Sequence, residues 1–145
     1  MSTATMQDSS PTASSKKGLR IGLWIAQALL FAAFGMAGVM KSTAPIAELA
    51  KNMAWVGAMP EALVRFIGVS ELLGAIGLLA PALTRIKPGL TALAGAALAL
   101  VMVLAAGVHL WRGELEALPV NVVLGGVAAF VAWGRWKAAP ITPRS

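Results

Sequence analysis

The sequence predicts an all-α polytopic membrane protein: a four-transmembrane-helix bundle with a short interfacial helix between spans 1 and 2. Three observations carry this. First, 58% of the 145 residues are hydrophobic and only 12% are charged, where a soluble domain carries about 25% charged residues. Second, the apolar residues gather into long uninterrupted blocks, giving a mean hydropathy of +0.77. Third, Lys, Arg and Trp collect at the ends of those blocks, as they do at membrane surfaces.

Residues 1–18 are rich in Ser, Thr and Ala and hold little that can be buried, so they read as a disordered N-terminal tail. The membrane domain is expected over 19–137, and 138–145 form a C-terminal tail. Span 1, about 19–40, is longer than the roughly 7–15-residue apolar core of a signal peptide. Its strongly polar residues are Arg20 and Gln27. Span 2, about 61–81, contains Arg65 and Glu71, which a bundle interior tolerates and lipid does not. Span 3, about 89–110, follows Lys87-Pro88 and carries no charge before His109. Span 4, about 119–136, opens with Pro119 and Asn121 and is close to the minimum length for crossing.

Under this arrangement Lys16, Lys17, Arg20, Arg85, Lys87, Arg135, Lys137 and Arg144 lie on one side, and Lys41, Lys51 and Arg112 on the other. The excess places both termini in the cytoplasm of an inner or plasma membrane. Trp24, Trp133 and Trp136 form an inner belt and Trp55 and Trp111 an outer one. The connection 41–60 is too polar to span. Thr43 before Ala44-Pro45 marks a helix start, and Ile46, Leu49, Ala50 and Met53 share a face opposite Glu48, Lys51 and Asn52. Either a helix lying at the outer surface or a connector docked on the bundle satisfies that pattern.

Membrane helices pack through small residues, so helical spacing shows which polar residues face protein. Gln27, Phe31, Phe34, Gly38 and Lys41 make one stripe; Gly68, Glu71 and Ala75 a second. Gly95, Ala99, Met102, Ala106 and His109 make a third, and Asn121, Gly125, Ala128 and Ala132 a fourth. Glu71 therefore faces protein near the midplane. Gln27, Glu71, His109 and Asn121 are expected to line a cavity in the outer half, with Lys41, Arg65 and Arg112 as supporting charges.

Each of these residues has a structural alternative. The Glu71 carboxyl is neutral, or bonded to Ser70, Gln27 or an arginine as interhelical glue, with Arg65 the chief rival partner. His109 alone near a helix end also suits an interfacial polar role. Arg65 and Arg112 fit purely topological roles, and Lys41 fits the closing of the first helix.

With no cysteine and one histidine, the chain by itself builds no disulfide, thiolate metal site, iron–sulfur cluster or two-His haem site. No metal site and no covalently bound cofactor are expected. No phosphate loop or nucleophile elbow is present. The basic residues form no stripe with interleaved aromatics, which argues against nucleic acid.

Gly-Val-Met-Lys over Gly38–Lys41, the segment Arg65–Pro81 with its Gly-x-x-Glu-x-x-Gly and Gly-Leu-Leu-x-Pro, the His109 end of span 3 and Asn121 opening span 4 together resemble the DoxX-like family of four-helix membrane proteins. The resemblance covers about residues 20–137. It implies kinship with subunits named for quinol oxidase and thiosulfate:quinone oxidoreductase systems, with proteins that join redox-defence partners, and with a eukaryotic membrane chaperone. Two functions follow as expectations. One is a small subunit of a membrane redox system that binds a quinone or other lipophilic molecule, with Glu71 and His109 as proton or hydrogen-bond partners. The other is an assembly or scaffold protein without chemistry of its own. Expected partners are the lipid bilayer, membrane or redox-enzyme proteins, and a second copy of the chain. A hydrogen-bonded cavity around Glu71 favours the first function; a fully packed interior favours the second.

Overall fold

A computed structural model describes residues 12–145, with side chains from residue 15. The described residues are helical throughout their ordered elements. These are α1 (Thr12–Thr43), α2 (Ile46–Asn52), α3 (Glu61–Thr84), α4 (Gly89–Arg112) and α5 (Leu118–Trp133). Short 3-10 turns at Ala54–Ala58 and Leu115–Ala117 and a π-helical turn at Gly134–Ala138 complete them. Four segments, Ser15–Thr43, Glu61–Thr84, Gly89–Arg112 and Leu115–Ala138, are long and apolar enough to cross a membrane. The shortest has 24 residues, about 36 Å at 1.5 Å per residue, against a hydrocarbon core of about 30 Å. Large side chains such as Phe66, Met36 and Val122 project outward from these helices, as contact with lipid requires.

The four spans form a ring in the order α1, α3, α4, α5. The pairs α1/α3 and α4/α5 share the most extensive faces. Glycines decide where the backbones close up. A Cβ on Gly38 would lie 2.7 Å from the Leu72 nitrogen, and one on Gly68 would lie 2.7 Å from the Lys41 Cβ. In the second pair a Cβ on Gly95 would lie 2.9 Å from the Ala128 carbonyl oxygen. Between the pairs, Gly74 meets Leu98, Gly77 meets Ala94, and Gly134 meets Leu23. These contacts sit toward the end that carries the termini, where Leu23, Leu30, Phe34, Leu78 and Leu98 build the core. Toward the opposite end, which carries the connector 44–60, the two pairs separate.

The connector does not lie free on a membrane surface. Leu49 and Val56 are buried against Val64 of α3, with Ile46, Met53, Trp55 and Met59 packed around them, while Glu48 and Lys51 pair at 2.8 Å on the exposed side. The reason lies in α1, whose end packs beside Gly68. The first turns of α3 therefore extend past it, and the connector fills the space left open.

Several expectations are corrected. The tail expected over 1–18 falls outside the described residues for its first eleven, but from Thr12 the chain is helical. No glycine or proline interrupts residues 12–17, so the helix runs out of the apolar region. Thr43 does not start α2: its Oγ1 donates to the Val39 carbonyl at 2.7 Å, inside α1, and Pro45 precedes α2 instead. Phe31 is 40% exposed and Leu30 takes its place in the core, because the buried stripe of α1 is centred on 23, 27, 30, 34, 38 and 41. The C-terminal tail is tied back by the Arg144 N–H donating to the Arg85 carbonyl at 2.9 Å.

Candidate functional site

Where α1 and α3 cross, a charge pair is enclosed. Lys41 Nζ donates to both carboxylate oxygens of Glu71 at 2.8 Å each, and the two side chains are 11% and 2% exposed. Gly68 permits the pairing by letting the Lys41 backbone rest against α3. The partner expected for Glu71 was an arginine, Ser70 or Gln27, or none. Ser70 Oγ instead donates to the Phe66 carbonyl within its own helix. Arg65 turns to the end of α1, where Nη1 donates to the Lys41 and Ala44 carbonyls at 2.9 and 2.7 Å and Nε and Nη2 bond Glu61. Arg65 is thus a C-terminal cap for α1, satisfying carbonyls that the helix leaves open, and not a snorkelling surface cation. Trp55, expected in the outer belt, lies with its ring centroid 5.8 Å from Lys41 Nζ.

A second polar group forms at the end of α4. Gly113, at φ +74°, terminates the helix in the left-handed conformation and returns the chain so that the Glu114 N–H donates to the His109 carbonyl. The Glu114 carboxylate then meets His109 Nδ1 at 2.7 Å and accepts from Arg112 Nε at 2.8 Å. Hydrogen bonds from His109 and then Arg112 hold the Glu114 carboxyl below the usual carboxylate range. Arg112 is therefore not merely topological. The stripes of spaced residues do not contain Glu114; the available signal for this contact was a Gly flanked by Arg and Glu at a helix end, Arg112-Gly113-Glu114.

Asn121, in the first turns of α5, is 8% exposed, and its Nδ2 is buried without a hydrogen-bond partner. Two cavities meet around these groups. One of about 350 Å³ lies between α3 and α4, and one of about 460 Å³ lies between α1 and α5. Both are bordered by Lys41, Trp55, Glu71, Met102, His109 and Asn121. The first is walled by apolar side chains, including the outward-facing Leu63, Phe66 and Leu104. The second reaches Asn52, Glu114 and Glu116 at the connector end. The two cavities share these six residues, one apolar-walled and the other reaching polar groups, and together they are termed the cleft.

Gln27 does not belong to it. The side chain is 0% exposed; Nε2 donates to the Leu78 carbonyl at 2.7 Å and Oε1 accepts from Arg135 Nε at 2.7 Å. Fourteen residues of helix separate Gln27 from Lys41, about 21 Å along the axis, so a shared stripe did not mean a shared site. The π-helical turn aims Arg135 inward, where its guanidinium lies 5.0 Å from the Trp24 ring centroid. Arg135 thereby leaves the row of surface cations.

A family model described as the DoxX-like family matches residues 25–131, from within α1 to near the end of α5. The chain belongs to the DoxX-like family. No match was found among curated proteins or among solved structures. In this DoxX-like chain the Gly-x-x-Glu-x-x-Gly segment divides its labour by position. Gly68 receives α1, Glu71 pairs with Lys41, and Gly74 receives Leu98 of α4. The Gly38–Lys41 segment supplies the matching half, so the two motifs that carry the resemblance meet at one crossing.

Proposed function

We propose that this DoxX-like protein binds a neutral lipophilic molecule of the quinone class in the cleft, as a small integral subunit of a membrane redox system. The observation that carries this is the cleft itself: an apolar-walled space between two helix pairs, bordered by Asn121, whose amide nitrogen is buried without a hydrogen-bond partner. An apolar residue at that position would fit the fold at lower cost. On the apolar-walled side the charges of Lys41 and Glu71 are paired with each other, while Glu116 borders only the polar side, so the apolar-walled side favours a ligand without net charge. A ring oxygen suits the Asn121 amide, and Phe66, Leu63 and Leu104 suit an apolar tail passing toward lipid. A quinone supplies two-electron, two-proton chemistry when bound; the chain's part is to orient the ring and to present His109 to its oxygens. The cavity around Glu71 favours this reading over a scaffold without a ligand.

Full-length protein purified in mild detergent is expected to retain quinone in its lipid extract. It is also expected to bind an alkyl quinone or hydroquinone in calorimetric titration, with Asn121→Leu weakening that affinity about tenfold by removing the hydrogen bond. A chain that takes up no quinoid in either form would leave the assembly-protein reading in its place.

The orientation follows in the same proposal. The gathering of Lys16, Lys17, Arg20, Arg85, Lys87, Lys137 and Arg144 at the end that carries the termini supports reading that end as cytoplasmic and the cleft as opening toward the outside. Reporter fusions after Arg85 and after Arg144 are both expected to read as cytoplasmic, and an external signal from either would reverse the assignment.

A further inference from the structure

We propose that the cleft selects the hydroxyl-bearing, reduced form of its ligand over the dicarbonyl form, and that Glu114 sets this preference by holding the His109 proton on Nδ1. The inference rests on the cleft being the ligand site. It begins from Glu114, whose carboxylate only accepts hydrogen bonds when ionised. Arg112 Nε donates to one oxygen at 2.8 Å and neutralises the charge, while His109 Nδ1 lies 2.7 Å from the other. The nitrogen facing that oxygen must carry the proton. In the proposed state the ring is neutral, with its one N–H on Nδ1. Nε2 is therefore a lone-pair acceptor, and among the described residues no protein donor meets it.

His109 borders both cavities, and Nε2, the ring nitrogen not engaged by Glu114, is the atom proposed to meet the ligand. The neighbouring polar groups do not discriminate. Lys41 gives two N–H groups to Glu71 and lies near the Trp55 ring. Asn121 has both a donor and an acceptor on one amide and suits either form of the ligand. The Glu71 carboxylate is also an acceptor, but both of its oxygens are engaged by Lys41 Nζ, and Glu114 and Glu116 border only the polar side, so on the apolar-walled side the acceptor left for the ligand is that of His109. A ligand hydroxyl donates to Nε2, whereas a carbonyl oxygen there sets lone pair against lone pair among apolar walls, where the lost hydrogen bond is not repaid by water. Glu114 acts through the histidine and is a positioning residue.

The test compares three ligands with the same ring and alkyl tail: the hydroquinone, the quinone and the hydroquinone dimethyl ether, titrated anaerobically into the full-length protein in detergent. The hydroquinone is expected to bind about tenfold more tightly than the other two. In Glu114→Gln, Arg112 Nε claims the amide oxygen and turns the NH₂ toward Nδ1, which moves the ring proton to Nε2. The preference should then collapse or reverse, whereas a merely structural role would weaken all three ligands together and leave the ratio intact. Because the chain has one histidine, ¹⁵N NMR reads the tautomer directly without any ligand. Protonated Nδ1 is expected in the native chain and protonated Nε2 in Glu114→Gln. A native chain protonated on Nε2, or one that binds quinone as tightly as hydroquinone, overturns the inference and leaves the quinone reading standing. Failure of all three ligands to bind overturns both.

Discussion

Lys41→Met is expected to cost about 3–5 kcal/mol of stability, because it leaves the Glu71 carboxylate enclosed without its counterion. Glu71 is 2% exposed and both of its oxygens accept from Lys41 Nζ. Glu71→Gln should destabilise for the complementary reason, since the amide leaves the ammonium without an anion. The double variant Lys41→Met/Glu71→Leu removes both charges and should recover most of the loss, because a buried ion pair and a well-packed apolar pair of similar volume have comparable stabilities. Reversible unfolding in mixed micelles measures all the variants, and the double-mutant cycle isolates the coupling. A double variant as unstable as the sum of its singles would show that the pair does not hold α1 to α3. Stability variants at this pair also need their ligand affinity scored per folded molecule, since loss of fold and loss of site coincide at these residues.

The second large effect belongs to Gly68. A Cβ built there lies 2.7 Å from the Lys41 Cβ and 2.8 Å from both the Lys41 carbonyl carbon and the Ser42 nitrogen. Backbone atoms cannot rotate away as a side chain can, so the whole of α1 must move. Overpacking costs about 1–3 kcal/mol, and movement at this crossing also draws Lys41 away from Glu71. Gly68→Ala is therefore expected to lose about 3 kcal/mol and to lower the yield of folded protein. Gly126→Ala is the contrast, since a Cβ there has open space around it within 4 Å. Alanine exceeds glycine in helix propensity by about 1 kcal/mol, so that change should be neutral or mildly stabilising. Equal stabilities for the two alanine variants in the same unfolding assay would remove the close α1/α3 contact from the account.

The four spans were legible because the length of an apolar run is a local property, and a crossing helix must satisfy it within its own segment. Helical spacing also showed that Glu71 and Asn121 face protein, since a face is fixed by 3.6-residue periodicity alone. Gly38, Gly68 and Gly95 stood on those faces for the same reason, whereas Gly74, Gly77 and Gly134, which also receive neighbours, lie off them. Periodicity is silent, however, on how far one helix slides along another. That register put Lys41, near the end of α1, level with Glu71, ten residues into α3, and it left Gln27 bonded to Arg135 about 21 Å away. It also left the first turns of α3 uncovered, so that an amphipathic connector compatible with a membrane surface docks on Val64 instead. The turn at Gly113 brought Glu114 back onto His109, a contact that no stripe of spaced residues contains. The sequence by itself determined what must be buried and on which side of each helix. Only the tertiary structure decided which buried groups meet, because that depends on backbone contacts such as Gly38 with Leu72 and Gly68 with Lys41, which set the depth of one helix against the next.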